Sequence, residues 1–300
     1  MDGINEMLAG VYAPMTTPFK NDEVFFEGFV ENIKKMNKSA LIGYFVCGTN
    51  GEFKSLTVPE RLKLLEAAVK NASDDKVVMG GTAAESTRET IEITREACRI
   101  GVHLVSLLMP SFFKKIIDDG VMTDYVLEVA EASSVPVLLY NNPSVTGGVL
   151  VGPEVVKTVS RHPNVVGMKD SSKGNYQSYL NAVEGEFYLL AGSASFFLDL
   201  LKGGGIGGVL SLANVVPDAC ARLYRTYMEG SIQETEAINK KIVALNSKIS
   251  GRYSVASVKA AMDVAGFYGG APRKPLKPVS REEKQNIKNA LQESGFSLNL

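Results

Sequence analysis

One lysine, one tyrosine and one polar turn carry most of the chemistry this sequence could perform. Lys169 follows Val165-Val166-Gly167-Met168 directly, so its amine stands at the end of an apolar run. Poor solvation disfavours an ammonium, and a lysine whose pKa falls for that reason becomes a nucleophile towards ketones. Tyr140 closes the preceding run, Val135–Tyr140, where its phenol could pass protons to and from a carbinolamine. After an earlier run, Gly48-Thr49-Asn50-Gly51 offers hydroxyl, amide and backbone N–H donors, the parts needed to grip a carboxylate without a metal. Each feature also has a plainer reading: a lysine leaving for solvent, a rim tyrosine bonded to backbone, and a tight turn.

Other chemistries lack their parts. Gly203, Gly205 and Gly208 spell GxGxxG, but they follow a helical pattern and lead into a strand, the reverse of a dinucleotide fingerprint. The two histidines, His103 and His162, stand far apart with no Cys/His spacing, which argues against a metal site. No nucleophile elbow supports a Ser/His/Asp triad. Neither a metal nor a cofactor is expected, and lysine imine chemistry is the one mechanism with all its parts present.

The elements that must position these residues are short apolar runs alternating with longer helical patterns. The runs are Val11–Met15, Gly43–Cys47, Val77–Met79, Val102–Met109, Val135–Tyr140, Val165–Met168, Phe187–Ala191 and Ile206–Leu212. They lack polar alternation, as strands covered on both faces should. Thr57-Val58-Pro59-Glu60 and Ser86-Thr87-Arg88-Glu89 have capping-box spacing ahead of helices. The first predicts a buried face of Leu62, Leu65 and Val69, the second one of Ile93, Ala97 and Ile100. Eight strand–helix alternations predict a (β/α)8 TIM barrel over residues 1–230, with a doubly wound open sheet as the alternative. Residues 231–300 read as a C-terminal helical extension. In such a barrel reactive groups sit at the C-terminal strand ends. Those ends hold Thr16-Thr17, Gly48–Glu52, Tyr140–Pro143, Lys169–Ser172 and Gly192-Ser193.

Composition adds exclusions. With 32 basic and 33 acidic residues the chain gives no charge-based reason to bind nucleic acid or an anionic membrane. No run approaches the roughly 18 apolar residues of a membrane helix. The acidic start Met1–Glu6 is unlike a signal peptide. Cys47, Cys98 and Cys220 read as reduced thiols, and a cytoplasmic location is expected.

Ordered motifs then add a resemblance over nearly the whole length. They are Thr16-Thr17-Pro18-Phe19, Gly48–Glu52, Tyr140-Asn141-Asn142-Pro143, Gly167-Met168-Lys169-Asp170-Ser171, Ala191-Gly192-Ser193, Ala213-Asn214-Val215 and Gly266–Pro272. The chain resembles the dihydrodipicolinate synthase and N-acetylneuraminate lyase superfamily of pyruvate-dependent class I aldolases. The resemblance implies that Lys169 forms an imine with a 2-keto acid, that Tyr140 relays protons, and that Thr49 is hydrogen-bonded to it. It implies that Thr49 and Asn50 hold the α-carboxylate, with Gly48, Gly192, Ser193 and the backbone at Val209 lining the pocket. Dimers or tetramers are usual in this superfamily. Two positions depart from the synthase pattern: Val145 stands where synthases place an arginine, and Phe112-Phe113 where they place tyrosines. Gly48–Phe53, Val145-Thr146-Gly147 and Leu190–Phe196 are similar to the branch of 4-hydroxy-2-oxoglutarate and 2-keto-3-deoxy acid aldolases, although Phe113 departs from that branch as well. An inactive ligand-binding barrel is the reading of another class.

Overall fold

The computed structural model describes residues 3–183 and 185–298. Every apolar run overlaps a strand: β1 (Gly10–Pro14), β2 (Gly43–Val46), β3 (Val77–Gly81), β4 (Leu104–Leu108), β5 (Val137–Asn141), β6 (Val165–Asp170), β7 (Tyr188–Ala191) and β8 (Gly207–Val209). They close into one barrel in the order β1-β8-β7-β6-β5-β4-β3-β2. Except for Tyr188, every strand residue is buried. Burial of both strand faces explains the missing alternation, and closure rules out the open sheet.

The boundaries correct the sequence reading in places. β6 runs two residues past Met168, so Lys169 and Asp170 belong to the strand itself. β4 begins at Leu104 rather than at Val102, and β8 ends at Val209, where the chain turns into a 3-10 segment at Ser211–Asn214. The helix Val58–Asn71 has the full capping box of Thr57 and Glu60 but buries Arg61, Leu64, Leu65 and Ala68. Of the expected face Leu65 is buried, while Leu62 and Val69 stay half-buried at its edges. The helix Thr87–Ile100, capped by Ser86, buries Thr90, Ile93, Thr94 and Ala97, while Ile100 stays partly open.

The chain gathers into two compact units. The first contains Val78–Gly192 and Phe196–Gly208. In it β5 and β6 pair in parallel, with Tyr140 opposite Lys169 and Asn141 opposite Asp170, and β6 pairs with β7. Two residues before Lys169, Gly167 lies so close to β7 that a Cβ would stand 2.2 Å from the Tyr188 carbonyl oxygen. Only glycine fits that approach.

The second unit contains Gly10–Val77, Ser193–Ser195 and the chain from Val209 onward. In it β1 pairs with β2, and a small hairpin joins Phe19–Lys20 to Glu23–Val24. The helices Pro217–Met228, Ile232–Lys248, Ser250–Val264 and Arg281–Ser294 belong to this unit. The last opens with a capping box of Ser280 and Glu283 and stops at Gly295, whose φ of 65° is left-handed.

Candidate active site

Side chains alternate along a strand, so consecutive residues of β6 face opposite ways. Asp170 turns towards the helix layer, where it accepts from Asn141 Nδ2 at 2.8 Å and from Ser172 Oγ at 2.7 Å. Lys169 therefore points the other way, and it is only 4% exposed. An ordinary lysine leaving for solvent is excluded. Its Nζ lies 3.4 Å from the centroid of the Tyr140 ring, the residue opposite it on β5. Burial holds the Lys169 pKa below the ordinary lysine range, against the opposing pull of Tyr140 and the charge of Asp170.

Tyr140 is also 4% exposed. Asn142 Nδ2 donates to its phenol oxygen at 2.8 Å, and Ser144 Oγ donates to Asn142 Oδ1 at 2.6 Å. The serine fixes which end of the amide faces Tyr140. That contact holds the phenol in place as a group that can give up a proton and take it back.

Behind this pair, a second network ties the strand ends together. Asn141 Nδ2 also donates to the Tyr179 hydroxyl at 3.1 Å, Tyr179 donates to the Val151 carbonyl at 2.9 Å, and Val151 N–H returns to Asn141 Oδ1 at 3.1 Å. Burial, followed by the charge of Asp170, pushes the Tyr179 phenol up to about 12, so it stays a donor. Gly192 sits against β6 as well: its N–H donates to the Asp170 carbonyl at 2.7 Å, and a Cβ would stand 1.8 Å from Ser171 Oγ. Next in the chain, Ser193 Oγ lies 3.0 Å from Ser195 Oγ and accepts from the Ser195 N–H.

In the second unit the polar turn Gly48–Glu52 follows β2. It is tight, with Gly51 N–H donating to the Gly48 carbonyl and Glu52 N–H to the Thr49 carbonyl, each at 3.0 Å. Thr17 Oγ1 donates to the Gly51 carbonyl at 2.7 Å, and Asn50 Nδ2 to Ser211 Oγ at 2.9 Å. Cys47 and Glu52, which bracket the turn, hold left-handed backbone at φ 59° and 55°. Val209, at the end of β8, is buried. The sequence reading missed Lys259 beside this turn. The Lys259 side chain is fully buried, and its Nζ lies 2.7 Å from Glu52 Oε1 and 2.8 Å from the Thr17 carbonyl. A lone lysine in the apolar stretch Val255–Met262 was the available signal.

Set-aside motifs stay outside this chemistry. Gly203 ends the helix Phe197–Lys202 and the glycines lead into β8, so no strand–glycine–helix order exists. His103 spends Nδ1 on the Val78 N–H at 2.9 Å. Among the described residues no helix is long and apolar enough to cross a membrane.

Comparison with known proteins bears on the family and the fold. Residues 7–294 match the dihydrodipicolinate synthetase family. The chain is 32% identical to the probable mitochondrial 4-hydroxy-2-oxoglutarate aldolase of Emericella nidulans, across 96% of this chain and 95% of that one. It is 30% identical to the 4-hydroxy-tetrahydrodipicolinate synthase of Methanococcoides burtonii, across 96% and 99%. Among solved structures it superposes with a TM-score of 0.89 and 25% identity on YagE, a prophage protein of the dihydrodipicolinic acid synthase family from E. coli K12 solved with pyruvate, covering 96% of this chain and 99% of that one. The match spans both the β5–β6 pair and the turn after β2, and the chain is a member of the dihydrodipicolinate synthetase family, whose enzymes are pyruvate-dependent aldolases and lyases.

Proposed function

We propose that this enzyme is an aldolase that cleaves 2-keto-4-hydroxy or 2-keto-3-deoxy acids to pyruvate and an aldehyde through an imine on Lys169. The observation that carries this reading is the buried Lys169 amine seated 3.4 Å from the Tyr140 ring. A lysine with a lowered pKa holds a lone pair that attacks the C2 ketone, and loss of water from the carbinolamine gives an iminium. Tyr140 gives its proton to the hydroxyl that leaves as water, and the phenolate so formed then takes the proton of the C4 hydroxyl. The C3–C4 bond breaks, the aldehyde leaves, and the electron pair runs through C3–C2 to the imine nitrogen as an enamine. Tyr140 returns its proton towards C3, and water hydrolyses the imine to pyruvate. Thr49 and Asn50 hold the α-carboxylate, with Gly48, Gly192, Ser193 and Val209 as lining. This role is supported by their place at the C-terminal ends of strands of one closed barrel.

A second reading, condensation of pyruvate with aspartate semialdehyde, takes its support from relatives named as synthases. Val145 weighs against it, because an isopropyl group cannot grip the second substrate's carboxylate as an arginine does. A homodimer or homotetramer in the cytoplasm completes the proposal. The exposed Phe112, Phe113 and Ile116 on one loop support the assembly. The free thiols support a reducing compartment.

The test is borohydride reduction in the presence of pyruvate, followed by peptide mapping. One adduct on Lys169 is expected. A folded protein with no adduct would remove the imine and favour a binding protein. Release of pyruvate from 4-hydroxy-2-oxoglutarate, weighed against formation of a cyclic product from aspartate semialdehyde, separates the two enzyme readings.

A further inference from the structure

We infer that Lys259 and Glu52 are positioning residues: their buried ion pair lets the C-terminal helix Ser250–Val264 set the shape of the turn that presents Thr49 and Asn50 to the substrate carboxylate. The inference rests on the role proposed above for that turn. Its basis is how much of the turn's geometry this one ammonium reaches. Lys259 Nζ touches Glu52 Oε1 at 2.7 Å, at the turn's last residue. It also donates to the Thr17 carbonyl at 2.8 Å, and Thr17 Oγ1 holds the Gly51 carbonyl at 2.7 Å. The other oxygen of Glu52 accepts from the Arg273 N–H at 2.8 Å. One helical turn beyond Lys259, Met262 Sδ accepts from Thr16 Oγ1 at 3.1 Å. The helix thus reaches the turn both from its far end and from the residues that follow β1.

The backbone supplies a reason why such a tether is needed. Glu52 is not glycine, yet its φ is 55°, a conformation that L-residues with a Cβ leave unless something holds them. Its carboxylate is 2% exposed and fixed at both oxygens, which supplies that hold. The lysine cannot act as a second nucleophile in this state, because its protons are spent on Glu52 and Thr17 and the ring of Phe19 lies 4.5 Å away.

A merely structural pair would alter stability and leave ligand affinity alone, whereas a positioning pair alters the pyruvate dependence. The experiment measures borohydride trapping on Lys169 as a function of pyruvate concentration in wild type, Glu52→Gln and Lys259→Met. Half-saturating pyruvate should rise about tenfold or more in both variants, up to the roughly 100-fold that a misplacement of about 1 Å costs. The adduct formed at saturating pyruvate should change far less. Glu52→Gln keeps the side-chain volume, so it carries the test where Lys259→Met fails to fold. Hydrogen exchange on the wild-type protein adds a measurement that needs no variant: the Gly51 and Glu52 amides should exchange slowly. Folded variants with half-saturation within about twofold of wild type, or wild-type turn amides exchanging as freely as an open loop, would overturn the inference alone. Absence of a wild-type adduct would instead sink the imine reading and this inference with it.

Discussion

Among the described residues Lys76, Lys169 and Lys259 are buried lysines, and the last two are surrounded in opposite ways. Lys169, on β6, has an aromatic ring at 3.4 Å, and the carboxylate next to it in sequence points away into hydrogen bonds with Asn141 and Ser172. Lys259, in the C-terminal helix, has a carboxylate at 2.7 Å and a backbone carbonyl at 2.8 Å. Burial lowers both pKa values; at Lys259 it is opposed by the carboxylate of Glu52 in direct contact, at Lys169 by Tyr140 and the charge of Asp170. The same residue type is thereby prepared as a nucleophile in one place and kept as a charged tether in the other. Burial alone does not make a lysine reactive; the group that faces it decides.

The sharpest way to break this comparison is to remove each amine in turn. Lys169→Ala should lower turnover on the order of 10⁴-fold or more, the scale of losing a covalent nucleophile, and should abolish the borohydride adduct. Should Lys259 become labelled in that variant, the contrast between the two lysines would fail. Tyr140→Phe comes next. Losing an acid/base group should slow turnover by roughly 10²–10⁴-fold while pyruvate trapping on Lys169 persists, and a change under about tenfold would remove Tyr140 from that role.

Stability should sort the pair the other way. Lys259→Met leaves Glu52 buried without its ammonium and should cost about 3–5 kcal/mol, read as a melting point lower by roughly 10 °C. Lys169→Met removes a poorly solvated amine and should leave stability unchanged or raise it by about 1 kcal/mol. The pH dependence of Lys169 has a definite sign. Its folded pKa lies below the unfolded value near 10.5, so the unfolded chain binds more protons between the two, and stability rises with pH across that window. Lys169→Met should flatten this rise in a thermal-melt series, and an unaltered slope would show that the rise comes from elsewhere.

The sequence carried the barrel well because its information is local. Strands buried on both faces read as near-continuous apolar runs, and all eight runs overlap one. Strand ends also placed Lys169 and Tyr140 one after the other along the sheet. What stayed hidden depends on register and on distance along the chain. Whether Lys169 or Asp170 faces inward is a question of strand phase, since a one-residue slip exchanges them. The faces of the helices after Thr57 and Ser86 were misjudged at their edges, where polar residues such as Arg61 and Thr94 are buried through partners the sequence does not name. Glu52 and Lys259 are 207 positions apart, and nothing local to either announces the other.

The smallest expected effect lies at the outer end of the Lys259 arrangement, where Arg273 ties Glu52 to a second carboxylate. Its N–H donates to Glu52, while its guanidinium forks onto both oxygens of Glu60 at 2.6 and 2.8 Å. That fork holds the Glu60 carboxyl down at about 2, below the ordinary 4.5. A depressed folded pKa gives stability that is complete above about 4.5 and is lost as the pH falls towards about 2. The pair is partly solvated, so its contribution is discounted to about 1 kcal/mol. Arg273→Gln keeps the backbone donor to Glu52 and removes the guanidinium. It should lower the melting point slightly at neutral pH and flatten the loss of stability between those two pH values. Pyruvate half-saturation should stay much nearer to wild type than in Glu52→Gln. A shift as large as that of Glu52→Gln would mean that the turn is held from the Arg273 side as much as from Lys259, and the contrast drawn between a single tether and a single nucleophile would have to widen to the whole ion cluster.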